Sequence, residues 1–201
     1  MFNLIRRDVI LQKRHLLIFI PFILFFIIMD VNPGLIFLVA SIFIPFNTYA
    51  YDEKVETNIL LNSLPYTRTE IIASRYLGAI VYMVLAIGGT SLALFTFNKP
   101  FTIIDIAIGS SLFLLFAAFT FPLFYILKPG YISTVVMISF LISVAMGPDI
   151  MVFLAERFTA ITDFIGNLSV PAFYTGATLV IVVVYIISWG ITTVIYQRKA
   201  F

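Results

Sequence analysis

Long apolar runs separated by short polar turns make up most of this chain. A helix needs about 20 apolar residues to cross a hydrocarbon core of ~30 Å, and turn signals such as Asn98-Lys-Pro100 and Lys128-Pro-Gly130 separate the runs. The pattern predicts an all-α membrane domain over residues 16–201 with six transmembrane helices. The predicted spans are Leu16–Met29, Leu35–Tyr51, Tyr76–Phe97, Ile103–Leu127, Tyr131–Met146 and Val170–Tyr196.

Residues 1–15 precede the first span and carry both basic and apolar positions. One helical sector would hold Arg6, Arg7, Lys13 and Arg14, with Phe2, Ile5 and Val9 beside it. This arrangement predicts a cytoplasmic amphipathic helix that lies in the membrane interface and is attracted to anionic lipid. A plain basic flank of the first span accounts for the same charges.

Residues 52–75 form a polar segment between the second and third spans. Its first part, Glu53–Ser63, can form a short helix that Leu64-Pro65 ends, because proline lacks an N–H and restricts the residue before it. Four apolar side chains stand out in this segment: Ile59, Leu60, Leu61 and Leu64. Apolar residues on a polar loop are typical of a partner-binding surface, and packing against the bundle or the headgroups accounts for them equally well.

A second helix is predicted to follow within the same polar segment. Thr67 and Glu70 have the spacing of a capping box, in which a side chain at each position bonds the backbone of the other. The helix that starts here is expected to run through Arg75 into the third span.

Residues 147–169 are predicted to form an external amphipathic segment. Gly147-Pro-Asp149 is expected to end the fifth span. Apolar positions then recur at intervals of three and four, at Met151, Leu154, Phe158, Ile161, Ile165 and Leu168. Acidic residues recur every seven, at Asp149, Glu156 and Asp163. Such a helix lies on the surface of the membrane or enters it as a re-entrant segment.

Composition agrees with the membrane class. Hydrophobic residues make up 62% of the chain and charged residues 11%, against about 25% charged in soluble domains. Cysteine is absent, which excludes disulfides, thiol nucleophiles and Cys-ligated metals.

Small residues in two of the predicted spans indicate sites of close helix packing. They are Gly78, Ala86, Gly88, Gly89 and Ser91 in the third span and Gly109, Ser110, Ala117 and Ala118 in the fourth.

The distribution of Lys and Arg predicts the orientation in the membrane. One side would hold ten of them and the other side two, which together account for all twelve. The ten are Arg6, Arg7, Lys13, Arg14, Lys54, Arg68, Arg75, Lys128, Arg198 and Lys199; the two are Lys99 and Arg157. Basic loops stay in the cytoplasm, so both termini and residues 52–75 are expected there.

Catalytic and nucleotide-binding motifs are missing from the sequence. It contains no P-loop, no Gly-x-Ser-x-Gly elbow, no metal-ligand spacing and a single histidine, His15. Asp105 is the most embedded acid, and it reads either as a functional intramembrane group or as a residue that reaches the outer interface. We therefore predict a protein that is not an enzyme and binds no cofactor, metal or nucleic acid. Any transport would draw its energy from a docked partner.

The polar segment resembles the loop after the second span in permease subunits of bacterial ABC exporters of the type-2 permease family. The similar residues are Asn58-Ile-Leu-Leu-Asn-Ser-Leu-Pro65, then Arg68, Glu70-Ile-Ile and Ser74-Arg-Tyr76. Within that family it is most similar to permeases of the phenol-soluble modulin exporter and related peptide exporters. The six spans, the interfacial helix and the external segment agree with the same family.

The resemblance implies a mechanism and a set of partners. A coupling helix would sit in a groove of a separate ATPase, which binds ATP and Mg. That role would fall on Asn58, Ile59, Leu60, Leu61, Asn62, Ser63, Leu64 and Pro65. Arg68, Glu70 and Arg75 would brace this loop against the N-terminal helix. Two permeases, identical or homologous, and two ATPases would form an exporter of amphipathic peptides or other hydrophobic cargo in the bacterial cytoplasmic membrane.

A second function class fits the same composition. An ATP-independent membrane carrier, or a regulatory or immunity-type membrane scaffold, would need no nucleotide-binding partner. An obligatory role for Asp105 in ion-dependent uptake would favour the carrier.

Overall fold

A computed structural model describes residues 13–54, 67–127 and 131–198 of the chain. Every secondary-structure element in these ranges is a helix. In chain order they are α1 (Lys13–Ile28), α2 (Pro33–Lys54), α3 (Arg68–Thr96), α4 (Ile103–Ile126), α5 (Ile132–Arg157), α6 (Thr159–Gly166) and α7 (Val170–Arg198). The predictions for Asn58–Pro65 and for most of residues 1–15 lie outside the described residues.

Three helices within the described ranges are long and apolar enough to cross a membrane. Their spanning stretches are Arg68–Thr96, Ile103–Ile126 and Ala172–Arg198. Shorter apolar stretches, Ile18–Ile28 and Pro33–Asn47, lie in α1 and α2. A membrane-spanning helical protein is thereby supported, while the count of six spans stays a prediction.

The helix that holds the predicted fifth span does not end at Gly147-Pro-Asp149. The helix α5 runs through these positions to Arg157. Proline removes one helical hydrogen bond, whereas ending a helix leaves several backbone groups that need other partners. The break comes instead at Phe158, where the hydroxyl of Thr162 in α6 donates back to the carbonyl of Ala155 at 3.1 Å. The first half of residues 147–169 is therefore continuous with the fifth helix.

The helices α2 and α4 lie at the centre of the bundle. The α4 helix packs along both α7 and α2, and α2 also packs along α3. One apolar cluster joins α3, α4 and α7 around Tyr76, Phe113 and Phe121. Another joins α1, α2 and α3 around Ile27 and Phe37. The first cluster contacts the first half of α3, and the second cluster contacts its second half.

Most aromatic residues of α4 belong to this core. Phe113, Phe121, Phe124 and Tyr125 are buried, whereas Phe119 is 69% exposed. Because edge-to-face ring contacts add to burial, these aromatics contribute to the packing of α4.

The α1 and α3 helices end in the same way at one end of the bundle, which we call the Lys99 end. Asp30 and Asn98 adopt positive φ angles of 57° and 52°. The N–H groups of Val31 and Lys99 reach back to Phe26 O and Leu94 O at 3.3 and 3.0 Å. These are Schellman C-caps, in which a left-handed residue lets the chain satisfy the last helical carbonyls. Lys99 Nζ then donates to Asp30 Oδ1 at 2.6 Å and joins the two caps.

Candidate functional site

The candidate site lies at the opposite end of the bundle, the Arg68 end, where α3 begins and α7 ends. The predicted capping box at the start of α3 is confirmed. Glu70 N donates to Thr67 Oγ1 at 3.3 Å, and Thr67 N donates to Glu70 Oε2 at 2.9 Å. The hydroxyl of Thr67 also donates to Glu70 Oε2 at 2.8 Å. Thr67 is in extended backbone (ψ 150°), and α3 begins directly after it at Arg68.

Arg68 ties the start of α3 to the end of α7. Its Nη1 donates to Gln197 O at 2.7 Å and lies 3.5 Å from Tyr196 O. The last carbonyls of a helix lack helical donors and carry partial negative charge, so an arginine is a favourable partner for them. This contact fixes the distance between two helix ends that are 129 positions apart in sequence.

The other predicted bracing residues take different positions. Glu70 is committed to the cap of its own helix. Arg75 lies one helical turn after Ile71 in α3, and its exposed fraction is 8%. The structure therefore brings Arg68, Glu70 and Arg75 onto the first two turns of α3, with Arg68 bonded to α7. The predicted bracing partner, the N-terminal helix, lies outside the described residues.

Below these residues, Tyr76 joins α3 to α4 and α7. Its hydroxyl lies 2.8 Å from Ser188 Oγ and 2.7 Å from Thr192 Oγ1, and all three residues are buried. Its ring meets Phe121 edge to face at 5.1 Å between centroids and stacks on Trp189 at 5.8 Å. A buried polar cluster of this kind gives packed helices one preferred register.

Tyr185 of α7 adds a hydrogen bond to the backbone of α3 across the same interface. Its hydroxyl donates to the backbone carbonyl of Tyr76 at 2.9 Å, and its ring contacts that of Tyr76 at 5.0 Å between centroids. Sequence reasoning missed this whole cluster. The only signal was a set of polar residues in the last span, Tyr185, Ser188 and Thr192, spaced three and four apart on one helical face.

A groove opens between α3 and α7 beside the cap, with a volume of about 470 Å³. Apolar atoms dominate its surface, and Glu70 lies at its rim. The lining residues are Thr69, Glu70, Ala73, Ile186, Trp189, Gly190 and Thr193.

Asp105 proves to be a helix cap at the Lys99 end. Thr102 N and Thr102 Oγ1 both donate to its Oδ2 at 2.7 Å, which forms a second capping box at the start of α4. The spacing Thr102-x-x-Asp105 was readable in the sequence, because it repeats the pattern of Thr67 and Glu70. In residues 13–54, 67–127 and 131–198, no group of three or more His, Asp or Glu residues could hold a metal ion.

A comparison with protein-family models matches residues 3–197 to the ABC-2 family transporter proteins. The chain belongs to this family. It is therefore a multi-pass membrane protein and the permease component of an ABC-2 transporter, and membership implies an ABC ATPase as partner. The match covers both capping boxes and all seven described helices of the ABC-2 permease except the last residue of α7, Arg198.

Searches of curated proteins and of solved structures find no significant match to this ABC-2 permease.

Proposed function

We propose that this ABC-2 permease is the transmembrane subunit of an ATP-driven exporter. In this proposal the Arg68 end faces the cytoplasm and residues Asn58–Pro65 dock in a groove of a separate ATPase. The ATPase binds ATP and Mg, and the permease contributes the path through the bacterial cytoplasmic membrane.

The observation that carries the proposal is the rigid start of α3 next to the docking residues. Thr67 and Glu70 cap the helix, and the cap begins at Thr67, two positions after Pro65. Arg68 bonds Gln197 O at the end of α7. A displacement of the start of α3 by an ATPase would thus move α3 and α7 together, since Arg68 bonds the two helix ends.

The cargo class and the assembly follow from the resemblance of residues 58–76 to peptide exporters. We propose two permeases with two ATPases as the working unit, and an amphipathic peptide or another hydrophobic compound as cargo. The alternation between inward- and outward-facing states would come from closure of the two ATPases on ATP.

The ATP-independent alternatives find less support. The acid that would favour an ion-coupled carrier, Asp105, is accounted for by the cap of α4. A carrier or a scaffold would also give no reason for the capped and tied start of α3 next to an apolar loop.

The decisive experiment is purification of the permease from its own membranes, followed by reconstitution with the recovered ATPase. Leu60→Asp and Leu61→Asp should weaken ATPase binding by about tenfold or more, because a carboxylate would be placed in an apolar contact. Thr69→Asp is the matched control: it adds the same charge near the same loop, at a first-turn position of α3 where an acid is favourable.

The readouts are ATPase recovery and ATP-dependent uptake of an amphipathic peptide into inverted vesicles, compared with a hydrophilic peptide of equal length. Loss of recovery and uptake with Leu60→Asp but not with Thr69→Asp supports the docking assignment. Wild-type behaviour of both leucine variants would contradict it. Recovery of the wild-type permease alone, with ATP-independent function, would favour the second class.

A further inference from the structure

Pro122 breaks the hydrogen-bond ladder inside α4. Proline has no N–H, so the carbonyl of Ala118, four residues earlier, loses its usual helical donor. Ala118 is buried, at 5% exposure. In a membrane protein such a carbonyl needs a donor from elsewhere, because neither lipid nor the packed interior supplies water to it.

The missing donor comes from another helix. Ser188 Oγ of α7 donates to Ala118 O at 2.5 Å. Ser188 is itself 5% exposed, so the bond is sealed from solvent. A side chain of α7 thus replaces the backbone bond that Pro122 removes from α4.

The hydroxyl cluster around Ser188 has more contacts than protons. Tyr76, Ser188 and Thr192 supply one hydroxyl proton each. Their four contacts are Tyr76 with Ser188, Tyr76 with Thr192, Ser188 with Ala118 O, and Thr192 with Ser188 O at 2.8 Å. Three protons can fill only three of these contacts.

Pro122 decides where the Ser188 proton goes. Ser188 O has a backbone donor within α7, the N–H of Thr192, so it does not depend on the hydroxyl of Thr192. Ala118 O has no such donor. Ser188 therefore donates to Ala118 O in every arrangement that leaves no carbonyl unpaired, and the protons of Tyr76 and Thr192 fill two of the other three contacts.

We propose that Ser188 is a positioning residue that closes the Pro122 break in α4 and makes the shape of α4 depend on its packing against α7. If a movement of α3 displaces α7 so that Ser188 no longer reaches Ala118 O, α4 is free to bend at Pro122. The role of this bend in transport rests on the proposed function, because α3 is the helix that the ATPase would move.

The bond itself is tested by a double-mutant cycle between Ser188→Ala and Pro122→Ala. Pro122→Ala restores an N–H that can pair Ala118 O. Ser188→Ala alone should lower the melting temperature of the purified permease by about 4 °C. In the Pro122→Ala background the same substitution should cost less than about half of that.

Two control variants separate this effect from general loss of packing. Ser110→Ala removes a hydroxyl of α4 that donates to Ile106 O and Ala107 O, carbonyls whose helical donors are intact. It should have the same small effect in both backgrounds. Tyr76→Phe should also cost the same in both, because Ser188 keeps its own proton for Ala118 O. An equal cost of Ser188→Ala in both backgrounds overturns the proposal.

The positioning role is tested by transport in vesicles containing the permease and its ATPase. Ser188→Ala should reduce cargo moved per ATP hydrolysed by roughly threefold to tenfold, with ATPase binding unchanged, and Ser188→Thr should restore it. Normal transport by Ser188→Ala would reject the positioning role while leaving the exporter assignment intact. If the wild-type permease recovers no ATPase, the exporter assignment fails, and the thermal cycle still decides whether Ser188 closes the Pro122 break.

Discussion

Gly109 of α4 lies against Phe37 of α2 with no room for a side chain between them. A Cβ at position 109 would lie 2.6 Å from Cβ of Phe37 and 2.9 Å from Gly34 O. Phe37 is fully buried, and Gly34 O belongs to the backbone of α2. Neither atom can move without moving the helix, so Gly109 sets the closest approach of the two central helices.

Gly109→Ala should therefore lower the free energy of unfolding by about 1–3 kcal/mol, the usual cost of overpacking. Thermal unfolding in mild detergent measures it. Gly88→Ala is the matched control, since nothing lies within 4 Å of a Cβ there. Because alanine is the better helix former, Gly88→Ala should be neutral or slightly stabilising. A milder effect at position 109 than at 88 would contradict the close approach.

The two capping boxes predict a second set of stability changes. Thr67→Ala and Glu70→Ala should each cost about 1 kcal/mol, because each removes a partner from an otherwise unpaired backbone N–H. The double variant should cost less than the sum, since both residues belong to one reciprocal pair. Thr102→Ala with Asp105→Ala repeats the test at the start of α4. Strict additivity at both sites would argue against reciprocal capping.

Loss of the hydrogen bond between Arg68 of α3 and Gln197 O of α7 should let the two helix ends move relative to each other. Arg68→Gln removes the charge and should cost about 1 kcal/mol, while Arg68→Lys should retain part of the bond to Gln197 O as a point charge. The measurement is a spin-label distance between positions 69 and 197, both exposed. We expect a broader distance distribution in Arg68→Gln than in Arg68→Lys. Identical distributions in wild type and Arg68→Gln would show that the bond does not hold the two helix ends.

The left-handed C-caps at the Lys99 end predict gains of different size for two similar substitutions. Asn98→Gly should raise the free energy of unfolding by about 0.5 kcal/mol, because glycine adopts a positive φ without steric cost. Asp30→Gly relieves the same strain but also removes the ion pair with Lys99, an exposed pair typically contributing about 0–1 kcal/mol. It should therefore gain less than Asn98→Gly. The reverse order in thermal unfolding would contradict this account of the caps.

Local signals in the sequence predicted much of the helical architecture. The capping box of Thr67 and Glu70 was correct, because its residues lie three positions apart and act on their own backbone. The turn at Asn98 was correct for the same reason. The membrane class follows from composition, which needs no knowledge of contacts.

Local signals failed for the end of α5, and they could not distinguish small residues that contact another helix from those that do not. Gly147-Pro-Asp149 is a turn signal in water, yet α5 continues through it. Gly88 and Gly109 are equivalent small residues in sequence, and only Gly109 meets another helix.

By itself, the sequence determined a membrane-spanning helical chain, the ends of several helices and the place of a capped, polar entry into α3. Only the tertiary structure decided which helix supplies the donor that Pro122 removes. Ser188 and Ala118 are 70 positions apart, and Tyr76 and Ser188 are 112 apart. Hydropathy, caps and turns act within about one helical turn, whereas such pairs depend on the crossing of whole helices.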